Sequence, residues 1–299
     1  RRLMDKYKLY VDAAADLPNE ARERYQIGVL PIPVSVGDKT WQSGLELTND
    51  DFYKLMEESR SIPVTSQITP YVFEELFKHE LAEGTNDLIV ILINARGSAT
   101  YQNAISTRER FLAKNPQDEN GMRIHLFDGA SYSGGYGFAA LLAAQKLEMG
   151  MPVKEVLAQI DAQLKKQRIY FGLYTLKYAG KSGRIPSAAV FVGETLGIKP
   201  IMRVWDHEIS TAGKARGEKK LVREIAKMAL ADMEPNTPYG LIYGNDSAAC
   251  DEMSEEMTKR IGYPPMYRFQ VGAAVAINAG PRIVGVVLEM RKKKLIKGE

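Results

Sequence analysis

The chain contains one cysteine, Cys250, in 299 residues, together with three histidines and two tryptophans. A lone cysteine excludes an internal disulfide and any cysteine-cluster metal site, and it points to a reducing compartment. His79, His125 and His207 stand in unrelated contexts, and neither HExxH nor Gly-x-Ser-x-Gly occurs, so hydrolase and metalloenzyme readings have no support. Long apolar runs are missing as well. The longest, such as residues 88–93, are far too short to cross a bilayer, and no apolar signal segment follows Arg1-Arg2-Leu3-Met4-Asp5-Lys6. The expectation is a cytoplasmic protein without a membrane span, in which Asn245-Asp246-Ser247 is a chance glycosylation match.

Net charge is also small. The net value is +3, but residues 291–299 carry five bases and one acid, so the rest of the chain is nearly neutral. A nucleic-acid binder shows a basic face interleaved with aromatics, whereas the bases here are dispersed outside that tail. No nucleic-acid partner is expected. What the chain does have is 45% apolar and 26% charged residues, enough for two ordinary cores.

Apolar residues 8–11 stop at Asp12, and Pro18-Asn19-Glu20 opens a helix with proline in its first turn. Residues 29–36 read as one strand whose prolines at 31 and 33 suit an edge or irregular position. Residues 49–56 and 70–81 place aromatics and aliphatics at helical spacing. Residues 88–93 are continuously apolar, as in a strand covered on both faces of a parallel sheet. A helix over 102–112, a strand over 123–127 and helices over 136–149 and 153–164 follow. This alternation predicts a doubly wound, mainly parallel sheet in a first α/β domain, residues 1–166. Beyond it, strands at 169–174, 201–205, 208–211, 239–243, 267–271 and 283–288, with helices at 219–233 and 248–260, are often too closely spaced for helical crossovers. A mixed or antiparallel sheet is therefore predicted for a second domain, residues 167–299.

Two nucleotide-binding signatures fail on inspection. Gly180-Lys181-Ser182 imitates the end of a P-loop, but the required earlier glycine is Thr175. Gly135-x-Gly137-x-x-Ala140 fits the relaxed dinucleotide fingerprint, yet its acid, Glu155, falls in a predicted helix; helix packing and a tight turn explain these glycines more simply. What remains is a set of hydroxyl- and glycine-rich loops after strands of the first domain: Thr65-Ser66-Gln67, residues 94–101, and residues 128–135. Ligands of open α/β sheets bind outside the carboxyl ends of the strands, where free N–H groups and hydroxyls hold an anion such as a carboxylate. The alternative reading is that Thr65, Ser98 and Ser133 only cap helices.

The same segments resemble the DegV family. Residues 11–18 (VDAAADLP) are similar to its Thr-Asp-Ser-x-x-Asp-Leu-Pro opening, Val64-Thr65-Ser66-Gln67 to its Thr-Ser-Gln segment, and Gly97-Ser98-Ala99-Thr100-Tyr101-Gln102 to its Leu-Ser-Gly-Thr-Tyr-Gln. Residues 177–185 (KYAGKSGRI) resemble its Gly-Gly-Arg-Ile loop, residues 197–201 its Asn-Ile-Lys-Pro-Ile, and residues 213–217 its Lys-x-Arg-Gly. The matches keep family order from residue 11 to about 282.

The resemblance implies a pair of α/β domains with a long-chain fatty acid buried between them and its carboxylate held by Thr65, Ser66, Gly97, Ser98 and Ser133. It implies no cofactor and no catalytic residue, with phosphorylation of the carboxylate left to a partner fatty acid kinase met near Arg184. A phosphotransferase resembling dihydroxyacetone kinase subunits, or a member binding another small anion, are the alternatives. Two departures stand out. Where the family has a histidine this chain has Asn278, and Arg96 and Arg282 replace family glycines. The expectation is that Asn278 still reaches the ligand and that Arg96 or Arg282 supplies the missing positive charge, since an unpaired buried carboxylate is costly.

Overall fold

The computed structural model describes residues 6–191 and 197–292. In the first half strands and helices are interspersed: β1 (Tyr7–Asp12), α1 (Asn19–Arg24), β2 (Gly28–Leu30), β3 (Ile32–Val36), β4 (Lys39–Ser43), α2 (Asn49–Glu58), β5 (Val64–Thr65), α3 (Pro70–Ala82), β6 (Asp87–Leu92), α4 (Thr100–Lys114), β7 (Arg123–Asp128), α5 (Gly134–Glu148) and α6 (Val153–Lys166). The second half runs β8 (Gln167–Leu173), α7 (Ala179–Ser182), β9 (Ile198–Trp205), β10 (Glu208–Arg216), α8 (Glu218–Asp232), β11 (Gly240–Tyr243), α9 (Ser247–Ile261), β12 (Tyr267–Gln270), α10 (Ala273–Ala279) and β13 (Ile283–Glu289).

Three sheets form. The first is parallel, in the order β2-β1-β6-β7, with β6 buried at every residue, as its unbroken apolar run requires. The second is mixed, in the order β10-β9-β8-β13-β11-β12, and every pairing in it except β11 with β12 is antiparallel. The mixed α/β architecture is therefore as expected. The strand predicted over residues 29–36 divides instead at Pro31: β2 edges the parallel sheet, while β3 joins β4 and β5 in a small antiparallel sheet. Proline has no N–H to continue a ladder, so the chain changes partners there.

Helix α5 lies between the parallel and the mixed sheets, touching β1 and β6 on one side and β8, β11 and β13 on the other. Eleven of its residues are buried, which is why it is apolar all round rather than on one stripe. Its glycines permit this approach. A Cβ on Gly134 would stand 2.7 Å from the Phe269 ring, and one on Gly137 would stand 2.4 Å from the Ala15 carbonyl oxygen. The Gly135-x-Gly137 pattern thus marks helix packing. Because the Ala15 obstacle is backbone, Gly137→Ala is expected to destabilise by about 1–3 kcal/mol or more, read as a lower urea midpoint at unchanged slope.

Candidate functional site

A cavity of about 430 Å³ opens between the carboxyl ends of the parallel sheet and one face of the mixed sheet. Its floor is apolar: Ile169 and Phe171 of β8, Val204 of β9, Ile209 of β10, Ile242 of β11, and Ile283 of β13. Ile169 and Phe171 are two apart, as the strand period demands of side chains sharing a face. Ile32, Met56 and Ile93 contribute apolar wall from the first half. The mouth is polar, and its charge has one sign. Arg60, Lys177, Lys181 and Arg184 line it, and no Asp or Glu appears among the described lining residues.

The loop after β6 is built by hydrogen bonds. Asn94 N–H donates to the Ser131 carbonyl at 3.1 Å, and the Asn94 carbonyl accepts from Gly97 and Ser98, folding the turn that carries Ser98 to the mouth. Ser98 Oγ accepts the Thr100 N–H at 3.2 Å and donates to Thr100 Oγ1 at 3.0 Å. Thr100 Oγ1 also accepts the Ile68 N–H at 3.1 Å, which ties the Thr65-Ser66-Gln67 segment to the start of α4. At the end of β1, Asp12 accepts the N–H groups of Ile93 at 2.7 Å and Ala14 at 3.0 Å, and the Tyr136 hydroxyl. It therefore anchors Ile93 at the cavity wall. Burial pushes the Asp12 carboxyl up to about 6 against these three donors, and burial pushes Asp16 up to about 8.

Asp16 Oδ1 accepts the Gly272 N–H at 2.9 Å, joining the two halves of the chain beside α10. Its Oδ2 is buried without a hydrogen-bond partner among the described residues, and so is Ser133 Oγ. The hydroxyl is nevertheless near enough to favour the Asp16 anion, though too weakly to outweigh burial. Ser133 occupies the N-cap position of α5 at φ 50° but makes no capping bond. Of the three hydroxyls offered as helix caps, only Ser98 receives a helix-start N–H, because Thr65 belongs to β5.

Seven of the nine residues singled out from the sequence line this cavity: Thr65, Ser66, Gly97, Ser98, Ser133, Asn278 and Arg184. Arg184 reaches across and donates to the Gly97 carbonyl. Asn278 Nδ2 is spent within α10 on the Ala274 carbonyl at 2.8 Å. Arg96 and Arg282 are not brought there. Arg96 turns outward to Glu208 at 2.9 Å, and Arg282 pairs with Glu218 and with Asp246 at 2.9 Å while its guanidinium stacks 4.1 Å from the Tyr174 ring centre. Each is already neutralised by neighbouring carboxylates, which corrects the expectation that either one serves the ligand's charge.

The cations that do line the mouth were missed in the sequence, apart from Arg184. Lys177 and Lys181 carried a usable signal, spaced four apart inside the KYAGKSGRI segment. Arg60, just beyond α2, carried none. His207 is a second surprise. It is remote in sequence from every hydroxyl loop, yet its Nε2 lies 2.7 Å from Asp128 Oδ2. No group of three or more His, Cys, Asp or Glu among the described residues could hold a metal, and no described helix is long and apolar enough to cross a membrane.

Comparison with known proteins agrees with this fold. The family profile described as "Uncharacterised protein, DegV family" matches residues 6–291. A DegV domain-containing protein of Caldanaerobacter subterraneus is 27% identical over 293 residues, covering 96% of this chain and 99% of the relative. The protein DegV of Bacillus subtilis is 26% identical over 278 residues, covering 92% and 96%. Among solved structures, a fatty-acid-binding DegV family protein from Thermus thermophilus superposes with a TM-score of 0.80 at 26% identity, covering 95% of this chain and 99% of that one. A stearic-acid-binding protein from Eubacterium ventriosum shares the fold with a TM-score of 0.84 at 23% identity, covering 96% and 98%.

Proposed function

Because this chain belongs to the DegV family, we propose that it binds one long-chain fatty acid in the cavity between its sheets and offers the carboxylate to a partner kinase for acyl-phosphate formation. The observation that carries the reading is the polarity gradient of the cavity: an aliphatic and aromatic floor, then a mouth with hydroxyls and four cations and no acid. Burying an acyl tail is worth about 0.8 kcal/mol per CH₂, so the floor supplies affinity. A volume of about 430 Å³ lies within the ~300–1,000 Å³ typical of small-molecule sites.

Thr65 and Ser98 hydrogen-bond the carboxylate in this reading, with Ser66, Gly97 and Ser133 shaping the pocket around them. Asn278 contributes no charge and its Nδ2 already has a partner. The counter-charge therefore comes from Lys177, Lys181 and Arg60, for which no carboxylate partner exists among the described residues. This set replaces Arg96 and Arg282 as the source of positive charge. In this reading Arg184, which is exposed at the rim, meets the phosphoryl group delivered by the kinase. On the same reading residues 1–166 are the head-group-binding domain and residues 167–299 the domain closing the pocket, the division taken between α6 and β8. The chain itself is then a carrier in the cytoplasm without chemistry of its own.

Solvent extraction of freshly purified protein followed by denaturing mass spectrometry tests the binding. About one equivalent of a C14–C20 acid is expected, a range set by burial per CH₂. An extract free of lipid, with no uptake of added oleate or palmitate, would refute the assignment.

A further inference from the structure

The two-residue turn joining β9 to β10, Asp206-His207, reaches across to the loops that carry the head-group residues. Trp205 pairs with Glu208, and both turn residues have positive φ, 46° and 72°, as in a type I′ hairpin turn, although neither is glycine. That conformation is uphill for non-glycine residues and persists when contacts over-determine it. The contacts are here. His207 N–H donates to the Ala130 carbonyl at 3.0 Å, and the His207 carbonyl accepts from Asn94 Nδ2 at 3.0 Å. His207 Nε2 meets Asp128 Oδ2 at 2.7 Å.

Asp128 in turn uses Oδ1 to accept the N–H groups of Ala95 at 3.0 Å and Ala130 at 2.9 Å, and Asn94 Oδ1 accepts the Arg96 N–H at 3.1 Å. One side chain of the turn thereby grips the carboxylate that shapes both head-group loops. The charged and titratable groups facing the ring are Asp128, and Asp206 at 3.2 Å from Nδ1; the Arg96–Glu208 ion pair and Tyr132 stand beside them. The strands leaving the turn carry Val204 and Ile209, both lining the cavity floor, while the gripped loops carry Gly97, Ser98, Tyr132 and Ser133. Parting turn and loops would separate two walls of the cavity.

We propose that His207 is a positioning residue: the Asp206-His207 turn is a latch that holds the Asn94–Ser98 loop in its ligand-binding shape and limits how fast the cavity exchanges its ligand. This builds on the fatty-acid reading, so the test includes a measurement that needs no lipid. The double variant Asp206→Asn/His207→Gly keeps the hairpin, because Asn-Gly is the favoured type I′ pair, and removes the ring. His207→Gln keeps an N–H donor able to reach Asp128.

Two quantities are read: amide exchange across residues 94–98 in lipid-free protein, and stopped-flow release of a fluorescent C16 fatty-acid analogue. The Asn-Gly variant is expected to lose protection in 94–98 and to release lipid about tenfold faster. Protection in β8 and β13 stays the same, and His207→Gln recovers most of the loss. Unchanged protection in 94–98 overturns the latch whether or not the protein takes up lipid. Loss of protection spread evenly into β8 and β13 also overturns it, since the ring would then serve general stability only. If protection falls locally but the release rate is unchanged, the turn does not control exchange and the proposal fails.

Discussion

Between pH 4 and pH 8 the protein is expected to lose stability as pH rises, and Asp16→Asn is expected to remove most of that loss. The Asp16 carboxyl rises from 3.8 to about 8 and Asp12 from 3.8 to about 6, in both cases chiefly through burial. A carboxyl whose folded value lies above its unfolded value binds its proton more tightly in the native state. Its stabilising contribution is thus complete below about pH 4 and disappears as pH climbs through the folded value. Asp87 and Asp246, held below the usual carboxylate range, against the opposing effect of burial, by Arg123 with His125 and by the N–H of Ala249 with Arg282, act in the opposite sense, but only at pH below about 4.

The two windows therefore separate. Asp16 Oδ1 has one donor, Gly272, and Oδ2 has none with good geometry, so an asparagine can keep the first bond and direct its NH₂ towards Ser133. Urea unfolding at pH 5 and pH 8 reads the effect: the wild type should be weaker at pH 8 by a few kcal/mol, on the order of what burial of one charge imposes, and Asp16→Asn should keep only the smaller loss that Asp12 contributes as pH climbs through about 6. An equal slope in both proteins would show that Asp16 is not the group responsible. Asp12→Asn is the contrasting variant. Both Asp12 oxygens accept N–H groups, so an amide there turns an NH₂ against a donor and destabilises at every pH.

The second large effect concerns the ligand. Thr65→Val with Ser98→Ala is expected to weaken fatty-acid binding on the order of 10²–10⁴-fold, since each hydrogen bond to a charged group contributes about 1.5–3 kcal/mol. Thr65 is exposed on β5 and its side chain makes no hydrogen bond among the described residues, so Thr65→Val alone should change affinity with little change in melting temperature. Ser98 also accepts the Thr100 N–H, so Ser98→Ala carries a further stability loss of about 1 kcal/mol. Titration of each variant with a fluorescent fatty acid, alongside thermal unfolding, separates the two. Undiminished affinity in the double variant would place the carboxylate elsewhere in the mouth.

Much of this was legible along the chain. The all-apolar run of β6 announced a strand buried on both faces, and the close spacing of strands after residue 167 announced the mixed sheet. Thr65, Ser98 and Ser133 stood out because hydroxyls follow strands where helix-starting N–H groups are free. These are local signals, written by periodicity and turn chemistry. Pro31 in the sequence suits an edge or irregular position in one strand, whereas in the fold it separates two sheets, because whether a missing N–H merely thins an edge or redirects the chain depends on which strand is alongside.

Arg96 and Arg282 pair away from the cavity for a related reason. A guanidinium serves whichever carboxylate its surroundings bring near, and Glu208, Glu218 and Asp246 are nearer than the cavity. Lys177 and Lys181 reach the mouth because α7 packs against α10, a contact between segments about a hundred residues apart. The sequence by itself determined the element types, the hydroxyl loops and the apolar character of α5, since these follow from the side chains of adjacent residues. Only the tertiary structure decided which charges stay free and which pair, where His207 lands, and that Asp16 is starved of donors, because each depends on distances between residues that the chain order leaves open.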